Sequence, residues 1–192
     1  MSSSSYHHGN LRNAILQAGL KHLEAEGADS LSLRKMTDKI GVSHTAAYRH
    51  FQDKPAFLAD LAAHGFDQLS ANAREAFGAH SDDPKAALCA YGQAYVLFAV
   101  EHPNLFRVMF GSERLGGGDS AKHAFDLLIE AVERNRASGF IQTEDVRPKV
   151  MSCWAMVHGL ASLAVDGQLK GVENLSDLIE SALQDLIYGL GR

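Results

Sequence analysis

Apolar and polar positions along this chain follow the 3.6-residue period of α-helices, and no stretch shows the two-residue alternation of strands. Leu11, Ala14, Ile15 and Ala18 share one face of a first helix, which Gly27 ends. The pattern predicts helices over residues 10–26, 33–40 and 44–50, a long helix from residue 53 to about 77, and helices over residues 84–101, 103–110, 119–138, 144–165 and 176–190. The expected fold class is therefore all-α.

Two short helices meeting at Gly41 are the most informative part of this pattern. Ser32 is a suitable N-cap for the first of them, and Ser43 for the second. Glycine at position 41 supplies a positive φ, which lets the helices cross sharply. Their inner faces carry Met36 and Ile40 on one helix and, on the other, Val42, Ala47 and Phe51. The arrangement predicts a helix-turn-helix.

The outer face of the second short helix is polar. It carries short polar side chains, a basic residue and an aromatic with a hydroxyl, which suits a helix entering the DNA major groove. These residues are Ser43, His44, Thr45, Tyr48 and Arg49. Around this helix stand Ser32, His50 and Lys54, each of which can reach a phosphate.

Charge is distributed unevenly along the 192 residues, whose net charge is −5. Residues 1–64 hold seven Lys or Arg, six Asp or Glu and six His, whereas residues 65–192 hold eleven basic and seventeen acidic residues. Residues 1–64 are thus near-neutral and His-rich, whereas residues 65–192 are acidic. This distribution is compatible with an N-terminal domain that approaches a polyanion. Taken alone, this asymmetry is only weak support for DNA binding.

Several other classes of protein find no support in the sequence. Cys89 and Cys153 lie in apolar stretches without CxxC spacing, so two packed, reduced thiols and a cytoplasmic location are expected. No apolar stretch reaches the length of a membrane span. There is no nucleophile–base pair, phosphate-binding glycine loop or metal-ligand spacing. We therefore expect no enzyme activity, no cofactor, no metal and no membrane partner.

The body contains a set of aromatic, methionine and histidine side chains suited to an apolar or aromatic small molecule. The candidates for ligand binding are Phe98, His102, Phe106, Met109, Phe110, Phe125, Trp154 and His158. Trp154 and His158 are four residues apart and so share a helix face. The alternative is that this set is ordinary core, with His158 a structural histidine.

The last two helices carry long apolar stripes. The first stripe comprises Val150, Trp154, Val157, Ala161 and Ala164, and the second Leu175, Leu178, Ile179, Ala182, Leu183, Leu186, Ile187 and Leu190. The second is too apolar to face water, so we expect both helices to pair with their symmetry mates in a homodimer. The alternative is that both stripes close the core of a single chain.

The N-terminal 60 residues resemble the TetR family of transcriptional regulators. The resemblance rests on the first helix with Gly27 and on the segments Leu31-Ser-Leu-Arg34, Ile40-Gly-Val-Ser43, Tyr48-Arg-His-Phe51 and Asp53-Lys54. Further on, Trp154-Ala-Met-Val-His158-Gly159 resembles the C-terminal domain known by its Trp-His-Gly (WHG) signature. The segment from Glu101 to Phe110 fits that domain too.

Thr37 departs from the family pattern, because alanine is usual there and a hydroxyl needs a partner. Ala47 replaces a common leucine or proline.

The resemblance implies an organisation and a function. We expect a disordered leader over residues 1–8, a DNA-binding domain over residues 9–53, and a ligand-binding and dimerisation domain over residues 54–192. By position in the family, Ser43, His44, Thr45, Arg49 and Arg34 are implied to face bases. Likewise, Ser32, Tyr48, His50 and Lys54 are implied to contact phosphates.

The implied function is that of a homodimeric repressor. It would bind a palindromic double-stranded operator and be released when a small-molecule effector tilts the long fourth helix and changes the spacing of the DNA-binding heads. The alternative is a dimeric helical ligand-binding or adaptor protein without sequence-specific DNA binding.

Overall fold

The computed structural model describes residues 4–111 and 118–190, and this part of the chain is helical, without strands. Its helices are α1 (Ser4–Glu26), α2 (Leu33–Ile40), α3 (His44–Ala47), α4 (Lys54–Ala79), α5 (Pro84–Glu101), α6 (Pro103–Phe110), α7 (Gly118–Ala137), α8 (Arg147–Val165) and α9 (Leu175–Leu190). The prediction of an all-α fold is confirmed. No described helix is both long enough and apolar enough to cross a membrane.

The ends of some helices differ from the predicted ones. α1 begins at Ser4 rather than at residue 10, so residues 4–8 of the expected leader are helical, while residues 1–3 lie outside the described part. α3 ends at Ala47, and residues 48–50 form turns instead of continuing the helix. α8 begins at Arg147, later than predicted, with a proline in its first turn. Residues 112–117, in the glycine-containing connection between α6 and α7, lie outside the described part.

The junction between α2 and α3 has the predicted geometry. The Ser32 hydroxyl caps α2 by accepting a bond from the backbone N–H of Lys35 at 3.2 Å. α2 ends at Gly41 in the left-handed region, with φ of 70°. The next backbone N–H, of Val42, donates to the Thr37 carbonyl at 3.0 Å, which satisfies an otherwise open end of the helix.

Two compact units make up the chain. The first comprises Met1–Phe66 with His102–Ser120, and the second comprises Asp67–Glu101 with Ala121–Arg192. This division differs from the expected boundary between residues 53 and 54. The first unit includes α6 because α6 packs on α1. Asn104 anchors this contact, since its side-chain amide donates to the Glu24 carbonyl at 3.1 Å.

The core of the first unit is built from apolar side chains of α1, α2 and α4. Ile15, Met36 and Phe57 are fully buried there. Phe51, just after α3, packs edge-on against Phe57 with ring centroids 4.8 Å apart. Because Phe51 closes this core, the segment that follows α3 is held in place by apolar packing.

In the second unit, α5 packs against both α8 and α9. Gly92 permits a close approach, because a Cβ at this position would meet a Leu183 methyl at 2.6 Å and a Val157 methyl at 3.2 Å. Asn135 of α7 is also fully buried, and its amide donates to the Pro84 carbonyl at 2.7 Å. That bond ties the end of α7 to the start of α5.

The apolar stripes of α8 and α9 are largely buried within the chain itself. Their fully buried members are Val150, Val157, Ala161, Ile179, Leu183, Ile187 and Leu190. For these residues the alternative interpretation holds, because their side chains fill the core of the second unit. The prediction that α8 and α9 pair with their symmetry mates concerns their remaining, outward-facing residues and stays a prediction.

Replacement of Gly41 by alanine tests the junction. The backbone there has φ of 70°, and a Cβ would meet nothing within 4 Å, so the cost is conformational strain alone. We expect Gly41→Ala to lower the free energy of unfolding by about 1 kcal/mol in urea titrations. Gly78→Ala is the matched control, since Gly78 has open space and lies within α4, where alanine is favoured. Equal effects of both substitutions would contradict the assignment of strain to Gly41.

Candidate functional site

The outer face of α3 and of the turn after it is open to solvent. Ser43, Thr45 and Arg49 are exposed, and Tyr48 is 58% exposed although it is a large aromatic residue. Ser43 occupies the N-cap position without a side-chain capping bond, so its hydroxyl is not used within the helix. The His44 side chain is 43% exposed. The five side chains predicted for this face therefore lie together on α3 and at its two ends.

The start of α2 adds two of the predicted residues. Arg34 is exposed in the first turn, next to the capping Ser32. The Ser32 oxygen accepts the capping bond, which leaves its hydroxyl proton to donate outward, for example to a phosphate oxygen. Helix N-termini with unpaired N–H groups also favour anions. The chemistry of this end of α2 is therefore suited to a nucleic-acid backbone.

Lys54 has a different environment from the one anticipated. Its ammonium donates to the carbonyl of Ala28 at 3.0 Å and lies 3.4 Å from that of Asp29. This lysine thus ties the start of α4 to the loop between α1 and α2. An ammonium has three protons, so a contact with a phosphate would share Lys54 with this tether. His50, the remaining phosphate candidate, is half-buried.

The candidates for ligand binding separate into two groups, one in each unit. In the first unit Phe106 and Phe110 pack together at 4.8 Å between ring centroids, and Phe110 also packs on Phe66. Met109 packs at Gly65, and His102 lies 3.8 Å from a Glu24 carboxylate oxygen. These four residues belong to the packing around α6.

In the second unit Phe125, Trp154 and His158 form a continuous aromatic cluster. The ring centroids of Phe125 and Trp154 are 5.8 Å apart, and those of Trp154 and His158 are 5.6 Å apart. Tyr95 joins this cluster through its hydroxyl, which lies 2.9 Å from Nδ1 of His158. Phe98, the fourth candidate in this unit, is fully buried in α5.

Burial governs the protonation of Tyr95 and His158. It raises the pKa of Tyr95, so the phenol keeps its proton at neutral pH. It also lowers the pKa of His158, which favours the neutral imidazole. The contact between the Tyr95 hydroxyl and Nδ1 of His158 therefore joins two uncharged groups.

A narrow apolar cavity lies elsewhere in the second unit. Leu88, Cys89, Tyr91, Gly92, Leu128, Cys153, Val157, Leu183, Leu186 and Ile187 line it. It leaves about 10 Å³ for the centres of water-sized spheres, which is room for roughly one water molecule. None of the eight predicted ligand residues lines this cavity. Burial raises the pKa of Cys153 to about 12 and also raises that of Cys89, so both thiols stay protonated at neutral pH.

Comparison with known proteins matches both parts of the chain to one family. Residues 15–61 match the family described as bacterial regulatory proteins, tetR family, and residues 88–186 match the tetracyclin repressor-like C-terminal domain. The chain belongs to the TetR family. The N-terminal match contains α2, α3 and the junction at Gly41, so the predicted helix-turn-helix is that of a DNA-binding transcriptional regulator. The finer resemblance to the WHG type stays a prediction.

Individual proteins resemble this chain over most or part of its length. A solved structure of a protein of unknown function from Rhodococcus sp. RHA1 is 32% identical, with a TM-score of 0.85 over 97% of this chain and 98% of that one. The HTH-type transcriptional regulator YobS of Bacillus subtilis is 28% identical over 95% of this chain and 93% of its own length. The nucleoid occlusion factor SlmA of Vibrio cholerae is 28% identical, but the match spans only 65% of this chain and 63% of SlmA.

Tyr95 is the residue of the aromatic cluster that sequence analysis missed. It lies 63 positions before His158 in the chain, and its place in α5 looks like that of any apolar core residue. Only the packing of α5 against α8 brings its hydroxyl to the imidazole. The Trp154–His158 spacing, by contrast, was visible in the sequence because both residues lie on one helix.

His158 makes folding sensitive to acid. Because its pKa is lower in the folded chain than in the unfolded one, the unfolded state takes up the proton first. Stability should therefore fall as the pH drops below about 6.5, the ordinary histidine pKa, and level off below the folded-state pKa. We expect His158→Gln to flatten this part of the curve in melting experiments between pH 8 and 5.

His80→Gln controls for the loss of a histidine, because His80 is an exposed residue of the same unit. If the curves of wild type and His158→Gln keep a constant separation across that range, His158 is not the group responsible.

Proposed function

We propose that this TetR-family chain is a homodimeric regulator that binds a palindromic operator through α3 and is released from it by an apolar or aromatic small molecule. The observation that carries the proposal is the polar outer face of α3, which stays open to solvent while Ala47 and Phe51 anchor the opposite face. A helix of this kind can present short polar side chains to base edges. A repressor role follows from family resemblance.

Two classes of contact are proposed on this face. The residues that contact bases are Thr45, Ser43, His44, Arg34 and Arg49. The residues that contact phosphates are Tyr48, Ser32 and His50. The exposed hydroxyl of Tyr48 is a natural phosphate donor. Lys54 supports DNA binding mainly by fixing the α1–α2 loop through Ala28, as its bonds indicate.

Dimerisation through α8 and α9 is supported by what the core leaves exposed. Met151 is 48% exposed, Leu163 46% and Tyr188 72%, so large apolar side chains of both helices face outward. Gly159 of α8 has open space where a Cβ would be, which permits a close helix approach from outside. A two-fold dimer would place two α3 helices about 34–36 Å apart, as successive major grooves require.

The effector proposal rests on the cluster of Phe125, Trp154 and His158, with Tyr95. It offers aromatic faces together with the imidazole of His158, a combination suited to an aromatic compound with a polar group. A tenfold loss of operator affinity needs only about 1.4 kcal/mol of differential binding. α4 contributes residues to both units and is the proposed route of coupling.

Selection of bound sequences from random duplex DNA tests DNA recognition. Wild-type protein should yield a palindromic motif. Thr45→Ala should change which bases are selected at one position of each half-site, whereas Tyr48→Ala should weaken binding to all duplexes while the motif stays the same. Tyr48→Phe keeps the ring and removes the hydroxyl, so it should resemble Tyr48→Ala if the hydroxyl holds a phosphate.

An unchanged motif for Thr45→Ala would contradict the assignment of bases to this residue. A properly folded dimer that selects no duplex at all would favour the alternative, a ligand-binding or adaptor protein.

Trp154 provides a direct assay for the effector, because it is the single tryptophan of the chain. Aromatic compounds that bind the cluster should change its fluorescence and, at the same concentrations, lower operator affinity. His158→Gln should weaken both effects in parallel. Phe106→Leu, in the other unit, is the matched control and should leave the fluorescence titration unchanged. Compounds that alter fluorescence without any change in DNA binding would contradict an effector role for this cluster.

A further inference from the structure

Thr37 makes an unusual set of contacts inside the helix-turn-helix. Its side chain is fully buried between α2 and α3, at a position where the family resemblance implies alanine. Its Oγ1 lies 2.8 Å from the carbonyl oxygen of Arg34 and 3.2 Å from that of Leu33, both within α2. The same oxygen lies 2.8 Å from Nδ1 of His44, the first residue of α3. One buried hydroxyl therefore links the two helices.

The direction of these bonds follows from counting protons. A hydroxyl carries one proton, and a carbonyl oxygen can only accept. Two oxygens 2.8 Å apart without a proton between them would repel each other, so the Thr37 proton is directed to the Arg34 carbonyl. Nδ1 of His44 must then carry the proton of the second bond and donate it to Oγ1.

This arrangement leaves Nε2 as the outward ring atom of His44. The His44 side chain is 43% exposed. A carboxylate oxygen of Asp38, which is 61% exposed, lies 3.5 Å from Nε2, beyond the usual length of a hydrogen bond. With Nδ1 protonated, Nε2 of the neutral ring can only accept a hydrogen bond. In the major groove such an acceptor fits the amino group of adenine N6 or cytosine N4.

We propose that Thr37 is a positioning residue for DNA recognition, whose buried hydroxyl fixes the ring of His44 so that Nε2 faces an adenine or cytosine amino group. The inference rests on the proposed role of α3. Thr37 does not touch DNA in this arrangement, and it acts only through His44. The Thr37 carbonyl, which accepts from the Val42 N–H at 3.0 Å, holds the other side of the same junction.

The state of the imidazole can be measured without DNA. Long-range ¹H–¹⁵N correlation spectra at pH 8 should show the His44 proton on Nδ1 in wild type. Thr37→Val has nearly the same shape and lacks the hydroxyl, so the proton should move to Nε2 in a substantial fraction of molecules. Thr37→Ser keeps the hydroxyl and should retain the wild-type spectrum. A wild-type ring protonated on Nε2 would overturn the proposal.

A double-mutant cycle on the duplex selected by wild type tests the consequence for recognition. Thr37→Val and His44→Ala should each weaken binding roughly fivefold, about the worth of one hydrogen bond, and the double variant should bind no worse than His44→Ala alone. Thr37→Ser should bind like wild type. Thermal unfolding of every variant reports on the fold separately.

Two results would show that Thr37 serves packing only. One is that the losses of affinity multiply in the double variant, and the other is that Thr37→Val has reduced stability but unchanged DNA affinity. Either result would overturn this inference and leave the proposed function intact. A wild-type chain that binds no duplex would overturn the proposed function and the recognition step together.

Discussion

The left-handed backbone at Gly41 is the constraint on which the DNA-recognition surface depends. α2 ends there, and α3 begins three residues later, so the direction of α3 is set by one residue with φ of 70°. α3 is only four residues long and has too few internal bonds to be stable alone. Its position comes from its ends, where Ala47 and Phe51 are buried and the Val42 N–H caps the preceding helix.

Much of this region could be predicted from the sequence because its determinants are local. Ser32 as a cap, Gly41 as a helix end and Pro84 as a helix start are properties of single residues, and the structure confirms all three. The face of α3 also follows from local periodicity. The sequence showed that the buried Thr37 hydroxyl needs a hydrogen-bond partner, but it did not identify that partner. The partner is the imidazole of His44, which reaches the Thr37 hydroxyl across the turn.

In the C-terminal part of the chain, the sequence alone could not decide which apolar residues face the chain's own core, and tertiary packing determines this. An apolar stripe on a helix has the same pattern whether it faces its own core or a second chain. In α9, Leu183 is buried against Gly92 of the chain's own α5, while Tyr188, one position after the buried Ile187, is 72% exposed. The candidate ligand residues separated for the same reason. They share a chemistry, but those on α6 and those on α8 belong to different compact units.

The two cysteines have a practical consequence. Both thiols line one apolar cavity, and burial keeps both protonated at neutral pH, whereas alkylating reagents such as maleimides react with the thiolate. A cysteine introduced on the exposed side of α3 would therefore react far faster than either native one. The protein can thus carry a single fluorescent or spin label on its recognition helix while both of its own thiols stay in place.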